Sequence, residues 1–207
     1  MLFGLDFDNT IVCYDRLFHE LAVERGLISP ALPATKQAVR KQLRDTNREE
    51  QWTELQAIAY GPRITHAKPW QGVLTFLQSC REANVQVVIV SHKTRYPYRG
   101  EKFDLHAAAH AFLESHGFYK TSDTGLSRGS VFLEPTLPEK LARIGLLRCD
   151  AFVDDLPEFL SEPAFPSGVR KVLFDPANSH PEHASYTRAT SWEACGEVLL
   201  AAQEGTA

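Results

Sequence analysis

No stretch of the 207 residues approaches the run of ~20 apolar residues that a membrane-spanning helix needs, so a membrane partner is not expected. The N-terminus lacks a basic region followed by an apolar run and a cleavage site, and a secretory leader is not expected either. The four cysteines, Cys13, Cys80, Cys149 and Cys195, stand far apart with no CxxC pair. That spacing excludes a zinc ribbon or a disulfide frame and predicts thiols in a reducing, cytoplasmic setting. A net charge of −4 argues against a general nucleic-acid binder. Internal repeats and low-complexity tracts are absent as well.

What is present is ordinary globular material, 43% hydrophobic and 23% charged. The length suits one domain with an insertion, or one large and one small domain. Apolar strands alternate with helical periodicity. Met1–Leu5 is an apolar run, and Tyr14–Gly26 carries Leu17, Phe18, Leu21 and Ala22 at helical spacing. A Pro-containing connection follows over Leu27–Pro33. The spacing then predicts helix over Thr35–Tyr60, rich in charge, and again over Trp70–Ala83. Val85–Val90 is a continuous β-branched run, typical of a strand buried on both faces. Helices are predicted over Leu105–His116, Pro138–Ile144 and Trp192–Ala202, with strands at Val131–Leu133, Ala151–Val153 and Val172–Phe174. This alternation predicts an α/β fold, a doubly wound Rossmann-like parallel sheet.

The chemistry collects where the predicted strands end. Leu5-Asp6-Phe7-Asp8-Asn9-Thr10 places two carboxylates two positions apart just past the first apolar run. Open α/β sheets bind ligands at the carboxyl ends of their strands. Paired acids there suit a hard divalent cation and phosphoryl chemistry, although Asp-Asn-Thr is also good turn chemistry. Ser91-His92-Lys93 follows the β-branched run; its hydroxyl and amides can bind phosphate oxygens, and Ser91 also suits a simple cap. Asp154-Asp155 ends another strand, with Glu158 three positions beyond Asp155. Adjacent carboxylates repel unless a cation neutralises them, and the same residues make a good helix start. Lys140 lies one helix upstream, from where a long ammonium can reach the acids.

In this order the four segments resemble the motifs of the haloacid dehalogenase-like superfamily of phosphatases and related hydrolases. The resemblance covers residues 1–12 and roughly 68–200. Asn9 departs from it, since Gly is common there, but Asn tolerates similar backbone angles. The resemblance implies a core over 1–12 and 68–207, with a small helical cap over 13–67 that closes over the site and excludes water. It also assigns roles. Asp6 would be the nucleophile and Asp8 the general acid, then the base. Thr10 would support the first turn and the phosphate site, and Ser91 with the amide of His92 would hold a phosphate oxygen. Lys140 would neutralise charge between Asp6 and the phosphate. Mg²⁺ would be held by Asp6, the carbonyl of Asp8 and Asp155, with Asp154 behind them or sharing the metal.

Within that superfamily dehalogenases need no acid two residues after the nucleophile, so Asp8 implies phosphate-ester chemistry. The expected activity is hydrolysis of a small phosphorylated metabolite through an aspartyl-phosphate. The alternatives are a phosphomutase or phosphotransferase on the same site, or a binding module. Oligomeric state has no signature here. The insertion over 94–134 opens with Arg95-Tyr96-Pro97-Tyr98-Arg99, a basic and aromatic loop that suits either a polar substrate or a packed surface. His106 and His110, four apart, are read as an exposed helical pair with no metal role. Lys36, Arg40, Lys41 and Arg44 are read as a solvated helix face.

Overall fold

The computed structural model describes residues 1–201. The chain runs β1 (Leu2–Leu5), β2 (Val12–Cys13), α1 (Asp15–Glu24), α2 (Lys36–Asp45), α3 (Glu49–Tyr60), β3 (Lys68–Pro69), α4 (Val73–Glu82) and β4 (Gln86–His92). It continues through α5 (Leu105–Ser115), α6 (Thr121–Thr124), β5 (Val131–Glu134), α7 (Leu137–Leu147) and β6 (Ala151–Asp154). The last elements are α8 (Pro157–Leu160), β7 (Arg170–Phe174), β8 (Thr187–Ala189) and α9 (Trp192–Leu200). Two compact units share these elements: Met1–Ile11, Pro69–His92 and the chain from Gly117 onward form the first, and Val12–Lys68 with Lys93–His116 form the second. Among the described residues no helix is long and apolar enough to cross a membrane.

The first unit is a parallel sheet in the order β5-β4-β1-β6-β7-β8. Strands on both sides of β1 are reached by crossovers, which makes β1 the point where the winding reverses direction. Adjacent residues of one strand point to opposite faces, and β7 shows the result. Leu173 joins Ile144, Phe152, Phe159 and Phe165 in a buried cluster under α7 and α8. Phe174 turns the other way and meets Trp192 of α9 at 5.3 Å, and Trp192 meets Phe76 of α4 at 4.9 Å. Both faces are therefore covered, and this explains why the strands read as uninterrupted apolar runs rather than alternating ones.

The second unit is helical around an aromatic core. α1 buries Leu17, Phe18, Leu21 and Ala22, while α3 buries Trp52, Leu55, Ala57 and Ala59. Phe18 stacks on Trp52 at 4.7 Å, and Tyr14 meets Tyr60 edge-on at 4.9 Å. Such pairs add about 0.5–1.5 kcal/mol each beyond the area they bury.

Several predicted boundaries move. The single helix expected over Thr35–Tyr60 is two, α2 and α3. Thr46 Oγ1 donates back to the Gln42 carbonyl at 2.7 Å, and Asn47 takes φ 55°, a left-handed conformation that stops a helix. The periodicity continued across that break and concealed it. The strand predicted to end at Val90 runs on through His92, because Ser91 and His92 pair with Leu133 and Glu134. α7 extends past Ile144 to Leu147, where Arg148 turns left-handed at φ 55°. α9 ends at Leu200, and the predicted end at Ala202 lies outside the described residues. β8 was not anticipated; three residues give too short a pattern to read.

β1 is central and tightly covered. A Cβ built on Gly4 would lie 2.4 Å from Phe152 Cδ2 and 3.2 Å from Cys149 Sγ. Gly4→Ala is expected to destabilise the protein by about 1–3 kcal/mol through overpacking. Adding Phe152→Leu should recover part of the loss in urea denaturation. Equal stability of wild type and Gly4→Ala would contradict this packing account.

Candidate active site

Register assembles the site. Leu5 pairs with Ile89 on one side and with Val153 on the other, and the Asp6 N–H donates to the Val153 carbonyl at 2.9 Å. Asp6 and Asp154 follow these partners directly and Ser91 lies two residues past Ile89, so the three emerge together at the carboxyl edge of the three central strands. Lys140 comes to the same place from the first turn of α7. Thr136 caps that helix, its Oγ1 accepting the Glu139 N–H at 3.3 Å, and Pro138 starts it.

The resulting contacts are short and dry. Lys140 Nζ donates to Asp6 Oδ1 and to Asp154 Oδ2, each at 2.6 Å, and Ser91 Oγ donates to the same Asp6 Oδ1 at 2.9 Å. Lys140 is 2% exposed, Asp6 5% and Asp154 0%, so water does little to screen the three charges. The ammonium also lies 4.1 Å from the Phe159 ring centroid. The other Asp154 oxygen accepts the Leu156 N–H at 3.0 Å. Both oxygens of Asp154 are thus engaged within the protein.

Asp155 is half-buried, and its Oδ1 lies 3.4 Å from the Thr10 hydroxyl, which donates to it. Asp6, Asp154 and Asp155 each offer an oxygen, all within 4.8 Å of one another. An all-oxygen, all-carboxylate set of this kind suits a hard divalent cation better than a soft one. Burial pushes the Asp6 carboxyl up to about 7; Lys140 opposes the rise, and Asp154 and Asp8 add to it. Burial pulls the Lys140 ammonium down, but Asp154 and Asp6 outweigh it and hold it above its ordinary value. One ammonium against two buried carboxylates leaves the cluster a negative charge in excess. A bound cation would remove that excess, and this is the observation that fits a metal to these residues.

The remaining sequence-predicted residues take distinct places. Asp8 is half-buried, two residues past Asp6. Asn9 has φ 63°, the left-handed angle that Gly or Asn accepts most readily. The Trp70 indole N–H donates to the Asn9 carbonyl at 2.6 Å and fixes that turn from outside. The His92 ring is exposed, with Nε2 3.1 Å from the Pro135 carbonyl. His106 is half-buried rather than surface-exposed, with Nε2 2.8 Å from the Lys93 carbonyl.

Two residues escaped the sequence reading. Trp70 carries no local signal for its role. Asp175 does carry one, since it directly follows β7 as Asp6 directly follows β1. It is 3% exposed and accepts N–H bonds from Ser179 and His180 at 3.0 and 2.9 Å. Burial raises its carboxyl, but those bonds prevail and hold it below the usual range. It organises the loop that follows β7.

The charge excess has a measurable consequence in metal-free protein. Folded Asp6 keeps its proton to about pH 7, whereas the unfolded carboxyl loses it near 3.8. Between those values the folded state binds more protons, so stability falls as pH rises. In EDTA, Asp6→Asn should therefore be more stable than wild type at pH 7.5, on the order of 1–2 kcal/mol. The gap should shrink toward pH 5. A variant less stable than wild type at pH 7.5 would contradict this electrostatic picture.

No protein-family model matches the sequence, and none of the curated proteins matches it. Solved structures do match in shape. A HAD family hydrolase from Deinococcus radiodurans R1, solved with bound phosphate and sodium, is 16% identical over 98% of this chain and 96% of its own, with a TM-score of 0.57. A HAD hydrolase of family IA, variant 3, from Entamoeba histolytica is 11% identical over 93% of each chain, with a TM-score of 0.56. A dehalogenase is 13% identical over 96% of each, with a TM-score of 0.55. Likeness at such identity concerns architecture alone, and it agrees with the sheet order and the motif positions: the chain has the fold of the haloacid dehalogenase-like hydrolases.

Proposed function

We propose that the protein is a Mg²⁺-dependent phosphomonoester hydrolase acting on a small phosphorylated metabolite through an aspartyl-phosphate. The observation that carries this reading is the Asp6 carboxylate, buried and aimed by the Ser91 hydroxyl and the Lys140 ammonium at a strand end. A structural aspartate needs neither such placement nor an excess of acid beside it.

In this reading an Asp6 oxygen attacks phosphorus, and the ester oxygen leaves with the electron pair of the broken P–O bond. Asp8 gives that oxygen its proton and becomes a carboxylate. The same carboxylate then takes a proton from water, whose oxygen attacks the phosphoryl group. Inorganic phosphate departs and Asp6 is restored. Ser91 and the His92 amide hold phosphoryl oxygens, and Lys140 offsets the charge between them and Asp6. Asp6, the Asp8 carbonyl and Asp155 would hold Mg²⁺, which when bound supplies charge neutralisation and polarises phosphorus. Asp154 is assigned to Lys140 rather than to the metal, since both its oxygens are already engaged. Thr10, fully buried, is assigned to orienting Asp155 rather than to touching phosphate. Asp8 favours ester hydrolysis over dehalogenation, because a halide leaves without a proton.

Asp6→Asn should abolish phosphate release from an ester panel while leaving the fold intact. Retention of more than a few per cent of the rate would remove Asp6 from the nucleophile's role. Asp8→Asn and Asp155→Asn should fail differently. Asp8→Asn should be slow with alkyl phosphates and far less impaired with aryl phosphates, whose leaving oxygen needs little protonation. Asp155→Asn should need much more Mg²⁺ for half-maximal rate and be partly restored by excess. Rates measured against Mg²⁺ and against leaving-group pKa separate the two, and metal rescue of Asp8→Asn instead would reverse the assignment.

A further inference from the structure

Directly after Asp6 the chain turns back on itself from Phe7 to Ile11, and Asp8 lies inside that turn. The Ile11 N–H closes it on the Phe7 carbonyl at 3.0 Å, with Asn9 at φ 63°. Trp70, from a distant segment of the same first unit, holds the turn at two carbonyls. Its indole N–H donates to Asn9 at 2.6 Å, and its backbone N–H donates to Ile11 at 2.9 Å. The ring is itself fixed edge-on by Phe174 at 5.6 Å, and Phe174 rests on Trp192 at 5.3 Å.

This anchoring bears on Asp8 more than on the fold. Asp6 takes its place from strand register and from its bonds to Ser91 and Lys140. Asp8 lies beyond β1, and its backbone direction follows from the turn. Asn accepts the left-handed angle but does not require it. A donor held rigidly at the Asn9 carbonyl selects that angle one peptide away from Asp8. Asn9 and Trp70 are both half-buried, so water can replace the indole at this carbonyl with little loss of stability.

We propose that Trp70 is a positioning residue: through the Asn9 carbonyl it holds Asp8 where its carboxyl can pass a proton to the leaving oxygen. The proposal rests on the reading of Asp8 as the general acid. Such a transfer needs the two oxygens within about 3 Å of each other. A misplacement of about 1 Å can cost about a hundredfold in rate.

Trp70→Phe keeps a ring against Phe174 and deletes the indole donor. Rates of the whole protein with an alkyl phosphate and with para-nitrophenyl phosphate, at saturating Mg²⁺, test the role. The variant should lose about tenfold with the alkyl ester and under about threefold with the aryl ester, whose leaving oxygen needs little protonation. Combined with Asp8→Asn, it should add nothing to that variant's loss with the alkyl ester, because both changes act on one proton transfer. Phe76→Leu, a control in the core around Trp192, should lower stability and leave the ratio of the two rates as in wild type. Should Trp70→Phe fail to fold, benzothienylalanine in place of Trp70 retains the bicyclic shape and lacks the N–H. An equal loss with both esters, or losses that add in the double variant, overturns the positioning role and leaves the reading of the site standing. Absence of any turnover by wild type overturns that reading, and this role with it.

Discussion

One ammonium between two carboxylates, Lys140 between Asp6 and Asp154, is the interaction on which the first unit's chemistry depends. Removing Lys140 from such a buried group costs about 3–5 kcal/mol, because two like charges are left alone in a dry interior. The fold must therefore deliver three elements to one point at once. β1 and β6 arrive by ladder register, and α7 arrives through its Thr136 cap and Pro138 start. A shift of one residue between β1 and β6 would move Asp6 and Asp154 out of level and leave Lys140 without its second acid. The site constrains the register as firmly as the core does.

The same cluster is poorly balanced as a stabilising device. Two acids share one base, and burial raises the Asp6 carboxyl to about 7. A chain shaped for stability alone would remove one acid. Keeping it creates an excess of negative charge that a bound cation would offset. Ser91 and Lys140 both bond to Asp6 Oδ1 and so fix the direction of the whole group. The cost in stability and the capacity for chemistry arise from one arrangement.

The segments of the candidate site were legible because each is local and ends an apolar run. Asp6, Ser91 and Asp154 could be placed at strand ends without any knowledge of which strands pair. Lys140 was weaker, since a lone lysine on a helix ordinarily faces water; its position before β6 was the only clue. The break at Thr46–Asn47 was not legible, because charged residues flank it on both sides and hydrophobic spacing carries across. Lys36 was misread for the same reason. Local rules place it on a solvated face beside Lys41, and only tertiary packing folds it onto Tyr14, Phe18 and Tyr60. The division of the adjacent acids, Asp154 toward Lys140 and Asp155 toward Thr10, also required three dimensions. Sequence gives the pair, and pleating sends its members to opposite sides.

Selectivity follows from a different kind of feature than catalysis does. In the proposed reaction Asp6, Ser91 and Lys140 would meet only a phosphoryl group, with Asp154 behind them on Lys140, and would be blind to the rest of a molecule. Their positions derive from strand ladders, which vary little without loss of the fold. Groups that distinguish one small anion from another must instead rest on elements that can change independently. Lys36 begins α2 and lies over the Tyr60 ring, outside any strand ladder, so its surroundings can change without altering the register that sets Asp6.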